Sequence, residues 1–106
     1  MSVEVLHMKK NLKRIEEMES YLEEVTKLNG ELALKLQEVN EARENMMKLF
    51  EYYGSEEWYE DRDLDLPEGT KAGVLSEDLV YDQITTLRDN AFEMLETATD
   101  ILKNRI

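Results

Sequence analysis

The chain has 106 residues, no cysteine, and 25 acidic against 13 basic side chains, for a net charge of −12. That length bounds one small domain, and the missing thiols exclude a disulfide framework or a thiolate metal site. The charge argues against nucleic acid and anionic membrane as partners. No apolar run approaches the ~20 residues of a membrane span, so the chain reads as a soluble cytoplasmic protein without a leader.

Ala, Glu, Lys, Leu and Arg supply 51 of the 106 residues, near the half that marks long helices and coiled coils. The first element predicted is a long helix over about 3–53. Its apolar positions fall at Met8, Leu12, Ile15, Met18, Leu22, Val25, Leu28, Leu32, Leu36, Val39, Ala42, Met46, Leu49 and Tyr53, always three or four residues apart. A mean interval near 3.5 is a coiled-coil stripe rather than a globular helix face. Glu23 and Lys27, Glu31 and Lys35, and Glu44 and Lys48 are placed as helix-surface pairs four residues apart. Asn29-Gly30 is the one interruption. Glycine there either closes a first helix and starts a tight hairpin, or stays within a continuous helix at about 1 kcal/mol relative to alanine. The stripe crosses Gly30 without a change of phase, which favours the continuous helix.

Residues 54–75 read as a connecting loop. Gly54 is placed to end the long helix, and Ser55 followed by Glu56 and Glu57 to cap a short turn carrying Trp58 and Tyr59. Beyond Asp61 the helical pattern dissolves, with Pro67, Gly69 and Gly73 marking turns. The third element is a helix over 76–105, with Ser76 as N-cap and Glu77 and Asp78 in its first turn. Leu75 and Val80 are spaced for a hydrophobic staple. Val80, Ile84, Leu87, Ala91, Leu95, Ala98 and Leu102 form its apolar face, and Lys103 and Arg105 complement the carboxyl end.

The fold predicted is therefore all-α: a long N-terminal helix, an ordered loop and an antiparallel C-terminal helix. Folded back, a closing helix of roughly 45 Å covers only the loop-proximal half of a first helix of roughly 75 Å. The stripe from Met8 to about Leu28 then lacks a partner, and a soluble monomer does not leave such a stripe in water. Two solutions stay open at this level: a break at Gly30 giving a three-helix bundle, or a continuous helix that dimerises.

The run Tyr52-Tyr53-Gly54-Ser55-Glu56-Glu57-Trp58-Tyr59-Glu60-Asp61, then Leu66-Pro67, then Gly73-Val74-Leu75-Ser76-Glu77-Asp78-Leu79-Val80-Tyr81-Asp82 resembles a bacterial family known as domain of unknown function 4298. The resemblance implies a small, acidic, helical protein of the bacterial cytoplasm with no assigned activity, and it carries over no catalytic residue. Residues 52–82 hold its specific part; the remainder is generic heptad.

Five of the eight aromatic side chains (Phe50, Tyr52, Tyr53, Trp58 and Tyr59) fall within ten residues, beside seven acids and one arginine between Glu56 and Glu68. One reading is a plug, in which the rings close the end of a helical hairpin and pin the loop. The other is an interaction surface made of Tyr52, Tyr53, Glu56, Glu57, Trp58, Tyr59 and Asp61, with rings as anchors and acids selecting a basic partner.

The residues offer little to catalysis. Asp61, Asp63 and Asp65 match positions 1, 3 and 5 of a calcium loop, but Leu66 stands where glycine is needed and Ala72 where a bidentate glutamate belongs. Glu41-x-x-Glu44 and Glu60-x-x-Asp63 imitate the paired carboxylates of helical magnesium-dependent nucleotide pyrophosphohydrolases, without basic residues set for phosphate. His7 is the sole histidine and nothing orients it. There is no nucleophile triad, phosphate-binding loop or zinc motif. No enzyme activity, cofactor or metal site is expected, and a metal-dependent nucleotide pyrophosphohydrolase stands only as a third reading, behind two non-enzymatic ones.

The leading expectation is a non-enzymatic interaction module that self-associates through its first helix or binds a protein partner. The alternative is an acidic mimic of nucleic acid that fills a basic groove on a nuclease or regulator; Lys9, Lys10, Lys13 and Arg14 would spoil its uniform field. For a homodimer, charge favours antiparallel first helices. Residues 8–14 carry four positive charges and no acid, and antiparallel pairing turns this end toward the partner's acidic loop rather than onto its like.

Overall fold

A computed structural model describes residues 2–104. Among them the chain forms three α-helices and no strand: α1 (Val3–Tyr52), α2 (Glu56–Arg62) and α3 (Glu77–Lys103), with one turn of 3-10 helix at Gly73–Leu75 before α3. Ser2 caps α1, its Oγ accepting from the Val5 amide at 3.2 Å. Helical structure runs through Asn29 and Gly30 without a break, so the alternative that opened a three-helix bundle at Gly30 is not adopted. The glycine cost of about 1 kcal/mol is small beside that of nucleating a second helix.

The chain divides into two compact units, Met1–Arg43 and Glu44–Ile106. From Val3 on the first is α-helix alone, and its apolar stripe positions from Met8 to Leu36 are all exposed, Leu36 least at 42% and Met8 most at 63%. The open stretch thus runs two turns beyond the Leu28 expected. Its surface pairs differ from those predicted: Lys27 reaches forward to Glu31 at 3.9 Å and Lys35 to Glu38 at 2.6 Å. Exposed pairs of this kind differ by only tenths of a kcal/mol, so spacing does not select one partner. In the second unit, Lys48 does pair with Glu44, at 3.4 Å.

The second unit holds the buried side chains, Trp58 and Val80. Around them Met46, Leu49, Phe50 and Tyr53 from the end of α1, Leu66 and Leu75 from the connection, and Ile84 and Leu87 from α3 are half-buried. The 3-10 turn touches both α2 and α3. The apolar face of α3 is covered only at its start. Contrary to the sequence expectation, Ala91, Leu95, Ala98 and Leu102 are exposed, Leu95 at 66% and Leu102 at 73%. The 3-10 turn packs on the start of α3, where Leu49, Gly73, Val74, Leu79, Val80 and Gln83 line one hollow, and the later turns of α3 are uncovered within this unit.

Both ends of the connection carry the expected turn chemistry. Gly54 takes a left-handed φ of 78°, and the Ser55 amide donates back to the Tyr52 carbonyl at 3.0 Å. Ser76 caps α3, accepting from the Leu79 amide at 3.3 Å. Arg105, expected at the carboxyl end of that helix, lies outside the described residues.

Candidate functional site

The aromatic–acidic junction is built around Trp58. Ser55 caps α2 by accepting from the Trp58 amide at 3.2 Å, and Glu56 and Glu57 occupy the first turn, where the helix dipole favours anions. Two turns of helix then turn the indole inward, where it is 2% exposed. Its Nε1–H donates to the Val74 carbonyl at 2.9 Å, so a buried polar atom is satisfied and the far end of the connection is tied to α2. Tyr53 and Tyr59 meet the indole edge-on, with ring centroids 5.1 and 5.0 Å away. The Arg62 guanidinium lies over the ring at 4.6 Å. Edge-to-face pairs add ~0.5–1.5 kcal/mol beyond area burial, and an exposed cation over a ring ~0.5–1 kcal/mol.

The remaining junction residues are arranged around this centre. The Tyr52 hydroxyl donates to the Asp61 carboxylate, linking the last turn of α1 to α2. That hydrogen bond, then partial burial and the negative charge of Asp61 and Glu57, push the Tyr52 phenol up to about 12. The Tyr53 hydroxyl donates to the Glu77 carbonyl at 3.3 Å. Its pKa is raised too, first by burial and then by Glu77. Tyr59 keeps 56% of its surface in water, and Glu56 and Glu57 are exposed. Glu56 and Glu57, with Lys48, Glu51, Tyr52 and Ser55, line a shallow, open hollow.

The structure therefore brings all seven predicted surface residues together, but in three settings. Trp58 is interior, Tyr52, Tyr53 and Asp61 are half-buried and hydrogen-bonded, and Glu56, Glu57 and Tyr59 face solvent. The sequence reading missed the Tyr52–Asp61 bond and the stacking of Arg62 on Trp58. The first depends on the angle at which α2 leaves Gly54, which no periodicity encodes; the second joins residues four apart on α2, a helical spacing that the sequence does carry. Among the described residues, no three His, Asp or Glu side chains are grouped to hold a metal ion.

The model of a protein family, a domain of unknown function (DUF4298), matches residues 15–97. The chain belongs to this family. The DUF4298 match takes in all of α2 and the 3-10 turn, with most of α1 and α3, so the aromatic junction lies at the centre of the family's span. No curated protein and no solved structure matches the chain. No helix among the described residues is long and apolar enough to cross a membrane.

Proposed function

We propose that this DUF4298 protein is a non-enzymatic helical interaction module of the bacterial cytoplasm, and that the N-terminal part of α1 is its binding element. The observation that carries the reading is the exposed stripe from Met8 to Leu36. Nine apolar side chains recur every three or four residues with 42–63% of each surface in water. Contiguous apolar surface on that scale marks a contact site, because leaving it in water costs roughly 25 cal/mol for each Å². A heptad-spaced stripe fits another helix better than a small molecule, since it offers knobs and holes in a line and no cavity. The aromatic junction belongs to the same reading as the fixed part of the module, built around the inward-turned ring of Trp58.

Size-exclusion chromatography of a tagged chain, alone and in an extract of its own cells, tests this. The expected result is a species heavier than the 12.5 kDa chain in at least one of the two. Elution as a free 12.5 kDa chain in both would overturn the proposal.

A further inference from the structure

The exposed stripe has a property beyond its mean period: its spacing is the same read in either direction. From Met8 to Leu32 the successive intervals are 4, 3, 3, 4, 3, 3 and 4 residues. A face unchanged by reversal complements an antiparallel copy of itself, which is the condition for an isologous twofold contact. We propose that the occupant of this face is a second copy of the chain, its α1 running antiparallel and the twofold axis passing at the level of Ser20. The proposal rests on the interaction-module reading and names its partner.

In this register Met8 faces Leu32, Leu12 faces Leu28, Ile15 faces Val25 and Met18 faces Leu22, and each pairing occurs twice. Every one of these side chains is at least 49% exposed in the single chain, so none must leave an existing contact. The stripe positions from Val39 onward are already half-buried, which confines the pairing to the open stretch and excludes a register running the whole length of α1. Charge selects the orientation. Residues 8–14 carry four positive charges and no acid, whereas the 26–32 stretch they face is neutral overall, with Glu31 opposite Lys9 and Lys27 opposite Lys13, one like-charge pairing where the parallel arrangement has four. Parallel, in-register pairing instead sets the four cations against four cations, a repulsion that opposes assembly. The acids from Glu16 to Glu24 face themselves in either orientation and do not discriminate.

Because the chain contains no cysteine, introduced thiols report the pairing directly. Full-length L12C and L28C are purified separately, then oxidised alone and as a mixture. A disulfide-linked dimer is expected from the mixture and not from either variant alone. In the antiparallel register two copies of position 12 lie ~24 Å apart along the axis, beyond the ~7 Å Cα separation a disulfide spans. Linked dimer from the single variants would overturn the orientation, and a noncovalent dimer with no linked product in the mixture would overturn the register. Light scattering on the unmodified chain at high micromolar concentration is expected to give twice 12.5 kDa. A monomer mass there would overturn the second copy, while a heavier species in cell extract would still uphold the interaction module. L22K, at a position 58% exposed in the single chain, is expected to weaken the dimer at least tenfold with helicity retained. An unchanged dimer would overturn the assignment of this face.

Discussion

The apolar stripe of α1 has one period and two fates. Between Met8 and Leu36 every stripe position is exposed, whereas Met46, Leu49 and Tyr53, spaced in the same way, are half-buried in the second unit. The two stretches differ in what else their own unit contains. The first unit has only helix to offer. The second has a capped two-turn helix, a left-handed glycine and an indole with a hydrogen-bond acceptor waiting for it. A 3.5-residue period therefore records that a face will be covered and says nothing of whether the cover lies in the same chain. Turn and cap residues, not the stripe, distinguish the two cases.

The largest expected effect tests whether the two stretches are independent. Trp58→Ala removes the one nearly fully buried ring, its bond to Val74 and both edge-to-face contacts. Removal of a buried aromatic side chain costs ~3–5 kcal/mol, a large share of what a small domain has. Hydrogen exchange is expected to accelerate across residues 46–87 and to stay as it was across 8–36. Equal acceleration in both stretches would show that they open as one unit and would erase the comparison.

Much of the second unit was legible in the sequence, because its determinants are local. Ser55, Gly54 and Ser76 announce their caps by residue type and position, and all three act as expected. The clustering of Phe50, Tyr53 and Trp58 pointed to an indole packed against the end of α1, and Tyr53 meets it there. What the sequence did not reveal was nonlocal. The bond from Tyr52 to Asp61 spans nine residues across a turn. The exposure of Leu95 and Leu102 depends on how far the covering elements reach, and apolar spacing on α3 is the same whether a neighbour is present or absent. Two of the three predicted surface ion pairs, Glu23–Lys27 and Glu31–Lys35, gave way to others for a third reason: nearly equal energies leave several partners open to one lysine.

A pair of glycines sharpens the comparison at a smaller scale, because the same substitution has opposite signs in the two stretches. Gly30 lies inside helical backbone, and a Cβ there meets nothing within 4 Å. Gly30→Ala is expected to stabilise the helix by ~0.5–1 kcal/mol through lost freedom of the unfolded chain. Gly54 is equally open but sits at φ 78°, where a Cβ crowds the following carbonyl. Gly54→Ala is expected to cost ~1–2 kcal/mol. Thermal melts by circular dichroism read both, with the midpoint rising for the first and falling for the second. Two shifts of the same sign would mean that α1 is not continuous at Gly30 or that the turn at Gly54 tolerates another backbone.

The smallest effect is confined to alkaline pH and isolates a single bond of the junction. The Tyr52 phenol donates to Asp61, and its pKa is raised from the ordinary 10.0 to about 12, first by that bond. A phenolate has no proton to donate and is repelled by the carboxylates of Asp61 and Glu57. The folded state thus holds the proton more tightly than the unfolded chain does, and the stability linked to this group is fully present below pH 10. As pH rises from about 10 to about 12 the unfolded chain ionises first, and that contribution is lost. Tyr52→Phe keeps the ring and discards the proton. The variant is expected to be less stable than the parent at neutral pH by an amount that shrinks toward zero between pH 10 and 12. Tyr53 is raised in the same direction, mainly by burial, and contributes its own alkaline loss to both proteins, so it cancels in the difference. Urea denaturation of the two proteins at a series of pH values measures that difference. A gap that stays constant through pH 12 would assign the effect of the substitution to packing of the hydroxyl and remove the hydrogen bond to Asp61 as a support of the junction.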